Sequence, residues 1–150
     1  MTANHDDMYD HHLNHVNCGH GPLEPKYPDN NPKSAAGHKK LQIGLIPSAG
    51  IIEQAKAMSF GAYDHGYGPY NWRGKNVTIS TMVYIHAMLR HIYDYIDGED
   101  LAPDSAVNHL GHIAACCDII LDAKVCGNLI DDRPPHGKAS ELLESYTRKD

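Results

Sequence analysis

Apolar residues recur three or four positions apart in three stretches of the chain, and this spacing predicts an all-α fold. The first stretch covers residues 48–62, the second 78–97 and the third 103–124. Their core-facing positions are, in order, Ile51, Ala55, Met58 and Ala62; Met82, Ile85, Leu89, Ile92 and Ile96; and Val107, Leu110, Ala114, Cys117 and Leu121. A shorter helix is predicted at 139–146. We therefore expect a small helical bundle of three to four helices.

Glycine and proline mark where these helices begin and end. Gly98 is placed to end the second helix, and Pro103 suits the first turn of the third. Gly127 and the pair Pro134-Pro135 interrupt the chain again. Residues 63–76 repeat Gly, Pro and Tyr, which predicts a loop. The apolar run 41–47 is the one segment with any strand pattern.

The polarity of the chain predicts three parts. Residues 1–38 form a polar, His-rich arm that we expect to be extended or only partly ordered. Residues 39–130 form the helical domain, and 131–150 form a tail with the short final helix. The arm contains a cluster that could bind a transition metal or could simply pack against a neighbouring subunit: His11, His12, His15, Cys18 and His20.

Charge and cysteine content exclude some classes of protein. The net charge of −6 excludes a non-specific binder of nucleic acid polymers, because no basic excess displaces counterions from a phosphate backbone. It does not exclude binding of one nucleotide. The four cysteines, at 18, 116, 117 and 126, form no Cys-x-x-Cys pair. No secretory signal or membrane-length apolar stretch is visible, so we expect a cytoplasmic protein with reduced thiols and no membrane partner.

Polar residues that lie off the core stripes of the second and third helices are the first candidates for chemistry. Two histidines three residues apart, His109 and His112, can reach one metal ion from a single helix. Carboxylates that could complete a mixed N/O site are Asp94, Glu99, Asp100 and Asp104. The alternative is that both histidines are packed against backbone or Asp side chains. Their neighbours Ala115 and Ile119 are apolar, so this stripe is expected to be covered by a helix or another subunit.

The loop segment 71–75 is the second candidate, because it contains the only tryptophan beside two cations. The Trp72 indole could stack on a base, while Arg73 and Lys75 could neutralise phosphate. Alternatively, Trp72 anchors the loop to the core and the cations are solvated. The chain has neither a phosphate-binding Gly-Lys-Ser/Thr loop nor a Gly-x-Ser-x-Gly nucleophile elbow.

Several of these segments, in order, resemble a family of small phage and prophage proteins, the dATP/dGTP diphosphohydrolase-like family. These proteins are similar to the MazG-type, all-α nucleotide pyrophosphohydrolases. The resemblance covers roughly residues 39–122. Its motifs are Lys40 before Leu45-Ile46-Pro47, Phe60-Gly61-Ala62, Gly66-Tyr67-Gly68, Asn71-Trp72-Arg73, Arg90-His91, Gly98-Glu99, and His109-Leu110-Gly111-His112 with Ala114 to Cys117.

The resemblance implies roles for particular residues. It implies a substrate pocket shaped by Lys40, Asn71, Trp72, Arg73 and Arg90. It implies a divalent metal, Mg²⁺ or Mn²⁺ with Zn²⁺ or Fe²⁺ as alternatives, held by His91, Glu99, Asp104, His109 and His112. Among these, Glu99, Asp104 and His109 are the candidate catalytic residues. It also implies a homo-oligomer in the host-cell cytoplasm, with sites between subunits.

The function hypothesis is a metal-dependent pyrophosphohydrolase that converts a purine dNTP to dNMP and pyrophosphate. The alternative is a non-catalytic protein that binds a nucleotide, or a signal derived from one, in the same pocket. Pyrophosphate release distinguishes the two, because a binding protein is stabilised by its ligand without turning it over.

Overall fold

A computed structural model describes residues 31–37 and 39–147. Contacts divide the chain at Gln42–Ile43 into two units. The described part of the first unit contains helix α1 (Pro32–Gly37), a short helix inside the arm that we predicted to be extended or only partly ordered. The predicted metal cluster of the arm, from His11 to His20, lies outside the described residues.

The second unit is an all-α bundle, as the periodicity predicted. Its long helices are α2 (Ser48–Ser59), α3 (Thr81–Ile96) and α4 (His109–Cys126), and α4 packs against both of the others. The short final helix, α5, spans Ala139–Ser145. Among the described helices, none is long and apolar enough to cross a membrane.

The start and the end of the long helices follow from local chemistry. Ser80 precedes α3, and its Oγ accepts a hydrogen bond from Val83 N at 3.4 Å. Asn108 precedes α4, and its Oδ1 accepts from Leu110 N at 2.9 Å. Both side chains satisfy helix N–H groups that have no partner inside the helix. After α4, Gly127 adopts φ 78°, the left-handed conformation that ends many helices.

Two very short strands, which the sequence pattern did not predict, pair the segment before α3 with the segment after α4. Strand β1 (Ile79–Ser80) pairs in parallel with β2 (Leu129–Ile130). Asp132, just beyond β2, accepts from Met82 N at 2.8 Å and from the Ser80 hydroxyl. The predicted strand candidate at 41–47 is instead a 3₁₀ turn, Ile43–Leu45.

The predicted third helix was wrong in its start and in its core-facing side. Residues 103–105 form a turn and 106–108 are not helical, because Ala106 has φ 54° and the Asn108 cap starts the helix six residues later than expected. The predicted core stripe is largely at the surface, with Leu121 61% exposed. The opposite stripe, including Ala115 and Ala123, is buried. The prediction that the histidine side is covered is confirmed, by helices of the same chain.

The buried side of α4 carries small residues because α2 crosses it closely. A Cβ atom added to Gly111 would lie 2.6 Å from the backbone oxygen of Glu53. Only glycine fits there without moving α2. The crossing brings Ala57, Val107 and Ala115 into one core cluster. It also places His109 and His112, on either side of Gly111, between helices.

Candidate functional site

A cavity of about 330 Å³ opens between α2, α3, α4 and the loop that follows α2. Arg90 and His91 of α3 line it together with His112 of α4. Asp104 contributes from the turn before α4, and Trp72 from the loop. Five residues from four segments therefore converge on one space that is large enough for part of a nucleotide.

Three histidines form a cluster at one side of this cavity. The His91 and His112 rings are parallel, with centroids 4.6 Å apart. Nδ1 of His91 lies 2.9 Å from Nδ1 of His109, so either one ring donates to the other or both nitrogens face a shared cation. Nε2 of His112 lies 2.8 Å from the Ser105 hydroxyl, which fixes the orientation of that ring.

His109 is the buried member of the cluster. Its side chain is 1% exposed, and its Nε2 has no hydrogen-bond partner among the described residues. The nearest carboxylate oxygen is Oε2 of Glu99 at 3.9 Å, which is longer than a hydrogen bond. A buried polar atom without a partner is costly, so this nitrogen marks a place where a ligand would stabilise the fold.

Burial favours the neutral form of the two cavity histidines, because it lowers the pKa of both. The pKa of His91 is lowered first by burial and then by the neighbouring rings of His112 and His109. Burial also lowers the pKa of His112, while the charge of Asp104 acts in the opposite direction on both. Neutral imidazole is the form that binds metal ions and accepts protons. Asp104 is thus close enough to act electrostatically on both rings.

The loop before the cavity is held in place by one carboxylate of α4. Asp122 Oδ2 accepts from Trp72 Nε1 and from Arg73 Nε, both at 2.7 Å, and its Oδ1 accepts from Arg73 Nη2 at 2.6 Å. The side chain of Asn128 donates to the backbone oxygen of Trp72. Trp72 therefore anchors the loop and lines the cavity at once, whereas Arg73 does not line it.

Aromatic residues line the cavity beside the histidines, and Phe60 meets the His112 ring edge to face at 6.4 Å. The chain leaves α2 through one π-helical turn, Phe60–Asp64, a feature often found at functional sites. Phe60 meets His65 edge to face at 4.6 Å, and His65 stacks on Tyr67 at 5.4 Å. All three line the cavity. The lining of the cavity thus combines aromatic and polar side chains.

The structure brings most of the predicted site residues together, although their roles stay predictions. The predicted residues that line the cavity are Asn71, Trp72, Arg90, His91, Asp104 and His112. Glu99 and His109 lie behind His91 rather than in the cavity wall. Arg73 is paired with Asp122 instead of pointing at the cavity. Lys40 belongs to the first of the two units, so its predicted place in the pocket is not tested.

Two residues of this region were not predicted as site residues. Asp122 is separated from Arg73 by 49 positions, and nothing local in the sequence signals their contact. Ser105, whose hydroxyl lies 2.8 Å from Nε2 of His112, is the other. Asp94, predicted as one of four available carboxylates, joins His91 and His109 in a group whose ligand atoms lie within 4.8 Å of one another.

Comparison with known proteins gives one family. The family model for the N-terminal part of dATP/dGTP diphosphohydrolase matches residues 30–133. Neither the curated proteins nor the solved structures contain a significant match. The matched range includes all three long helices and every residue of the cavity.

Proposed function

Because the chain belongs to the dATP/dGTP diphosphohydrolase family, we propose that it hydrolyses a purine deoxynucleoside triphosphate to the monophosphate and pyrophosphate. The observation that carries this proposal is the lining of the cavity, which combines aromatic rings with Arg90, Asp104 and two histidines whose pKa values are lowered by burial. A nucleotide has groups that match this combination, a flat base and an anionic phosphate chain.

The charged groups of the cavity suggest one role each. Arg90 is the only lysine or arginine among the described residues that line it, so it is the group that would neutralise the phosphates. Asp104 is the only carboxylate among them. In the proposed reaction, water adds across the bond between the α- and β-phosphates, and Asp104 or an adjacent histidine accepts the proton that the water loses.

The residues beside the cavity fit a divalent metal ion. His91, Asp94 and His109 offer a mixed N/O donor set, and the buried Nε2 of His109 lacks a partner among the described residues. Such donors suit Mn²⁺, Zn²⁺ or Fe²⁺, and Mg²⁺ with phosphate oxygens as further ligands. We place the metal at these residues, with Glu99 close by and the predicted ligands His112 and Asp104 on its cavity side. A bound metal would polarise phosphate oxygens and acidify water.

Product analysis with two site variants tests this function. The purified chain is incubated with each dNTP and NTP and with Mg²⁺ or Mn²⁺, and nucleotides and pyrophosphate are separated by chromatography. We expect dNMP and pyrophosphate in equal amounts, lost in Asp104→Asn and His109→Ala and retained in Glu141→Gln, an exposed residue of α5. Nucleotide-dependent thermal stabilisation without turnover would instead support the binding protein. Neither stabilisation nor turnover in folded protein would refute both.

We also propose that the chain forms a homo-oligomer through the exposed side of α4. Leu110, Leu121 and Val125 are 48%, 61% and 87% exposed and lie on the same side of the helix as the exposed Cys117. A second copy of this chain is the partner we propose for that apolar stripe. Leu121→Glu should lower the mass measured by light scattering, whereas Asn76→Glu, on the exposed loop, should not. An unchanged mass in Leu121→Glu would contradict an interface on this side.

A further inference from the structure

The carboxylate of Asp122 accepts three hydrogen bonds from two consecutive residues of the loop. One comes from the Trp72 indole and two come from the Arg73 guanidinium. The paired guanidinium also lies over the Tyr70 ring, with 5.2 Å between Cζ and the ring centroid. Arg73 therefore has a carboxylate partner and an aromatic partner, and both lie outside the cavity wall.

The Trp72 indole shares its acceptor oxygen with Arg73. Because both donors bind Oδ2 of Asp122, the position of the indole depends on the same contact that holds the guanidinium. Hydrogen bonds from Arg73 and then Trp72 hold the pKa of the Asp122 carboxyl at about 2, so it is ionised at neutral pH. A charge-assisted bidentate pair of this kind fixes direction as well as distance.

The backbone of the loop is held from the same side. Asn128, which follows α4, donates to the backbone oxygens of Trp72 and, at 3.2 Å, of Val77. Tyr70, directly before the segment, has φ 56°, a conformation that residues other than glycine rarely adopt. The contacts from the end of α4 hold the chain in this turn. Trp72 is thereby presented to the cavity from a rigid support.

We infer that Asp122 is a positioning residue of the nucleotide site, which holds the Trp72 indole in place to stack on the base and engages Arg73 away from the phosphates. This inference rests on the proposed function for the identity of the ligand. It also assigns two arginines, Arg73 and Arg90, different tasks. Arg73 acts on the base side, through Asp122 and Trp72, and Arg90 acts on the phosphate side.

The single tryptophan makes the inference directly measurable. Emission from Trp72, excited where tyrosine does not absorb, reports its surroundings without any need for turnover. We expect Asp122→Ala and Arg73→Ala to shift this emission to longer wavelength, because the indole loses its support and gains water. The matched control is Asp131→Ala, since Asp131 forms a similar bidentate pair with Arg133 at 2.7 and 2.6 Å but contacts no tryptophan.

Binding of two ligands separates a base contact from a phosphate contact. The ligands are a dATP analogue with an α,β-imido bridge and deoxyadenosine, which has no phosphate. We expect Asp122→Ala and Arg73→Ala to weaken both ligands by the same factor, at least about fivefold, the low end for stacking one base on an aromatic ring. The double variant should be no worse than either single one, because the two residues act through one contact.

Two results would overturn the inference. If Arg73→Ala weakens only the triphosphate analogue, Arg73 contacts phosphate directly. If Asp122→Ala leaves both the emission of Trp72 and the affinities unchanged, Asp122 positions nothing. Failure of the proposed function gives a different result, because the wild type would then bind neither ligand. Asp122 would then have no role in nucleotide binding. The emission spectra would still show whether Asp122 fixes the position of Trp72.

Discussion

Replacing Gly111 with alanine introduces one methyl group at the point where α2 and α4 approach most closely. That carbon would lie 2.6 Å from the backbone oxygen of Glu53 and 2.8 Å from its carbonyl carbon. Because both contacts are to backbone, no side-chain rotation relieves them, and the helices must separate by about 1 Å to restore ordinary contact distances.

Two opposing terms set the size of the effect. Overpacking of this kind costs about 1–3 kcal/mol, and alanine recovers up to about 1 kcal/mol of helix propensity relative to glycine. Relative to a Gly→Ala variant that gains the same propensity without overpacking, we therefore expect a loss of about 1–3 kcal/mol, which for a chain of this size lowers the melting temperature by about 2–12 °C.

Urea and thermal unfolding followed by circular dichroism measure this loss. Gly50→Ala is the matched control, because Gly50 lies in α2 and an added Cβ would meet nothing within 4 Å. It should be neutral or stabilise the protein by up to about 1 kcal/mol. If Gly111→Ala proves as stable as Gly50→Ala, the close crossing of α2 and α4 is wrong.

Three further variants test local features of the fold. Ala106→Gly should raise the free energy of unfolding by about 1 kcal/mol, because alanine at φ 54° is strained, and a lower free energy of unfolding would refute that strain. Ser80→Ala should cost about 1 kcal/mol through loss of the α3 cap, with Thr78→Ala as the control, and equal stability of the two would contradict the cap. The Asp122 carboxyl has its pKa lowered from 3.8 to about 2, so its stabilising effect is complete above the ordinary pKa and is lost as the pH falls towards 2. Urea midpoints of wild type and Asp122→Asn should therefore differ at pH 6 and converge near pH 2, and a gap that persists at pH 2 would rule out this carboxylate as its source.

The sequence pattern predicted the type of each long helix but not which residues are buried: Ile51 of α2 is 46% exposed and Ile96 of α3 is 71% exposed, and the buried side of α4 differs most from the prediction. Apolar residues surround this helix, with Leu110 and Leu121 on one side and Ala115 and Ala123 on the other. Periodicity favoured the larger residues as core. The structure buries the smaller ones, because a close crossing at Gly111 leaves no room for leucine. That choice depends on the distance between helices, which no local pattern encodes.

The candidate site was predictable where motifs marked it and not where long-range pairing decides. Trp72, Arg90 and His112 were predicted from motifs, and all three line the cavity. Arg73 belongs to the same motif as Trp72, yet its side chain pairs with Asp122 on α4. From sequence alone, a cation in a loop is predicted to be solvated or to bind phosphate, because its carboxylate partner cannot be identified. That partner lies 49 residues away.

A crystal structure with the α,β-imido analogue of dATP and Mn²⁺ tests the central claim most directly, because it locates base, phosphates and metal together. We expect the base against Trp72, the phosphates beside Arg90, and the anomalous signal of manganese at His91 and His109. A nucleotide bound elsewhere, with its phosphates on Arg73 or away from Arg90, would contradict this account of the cavity.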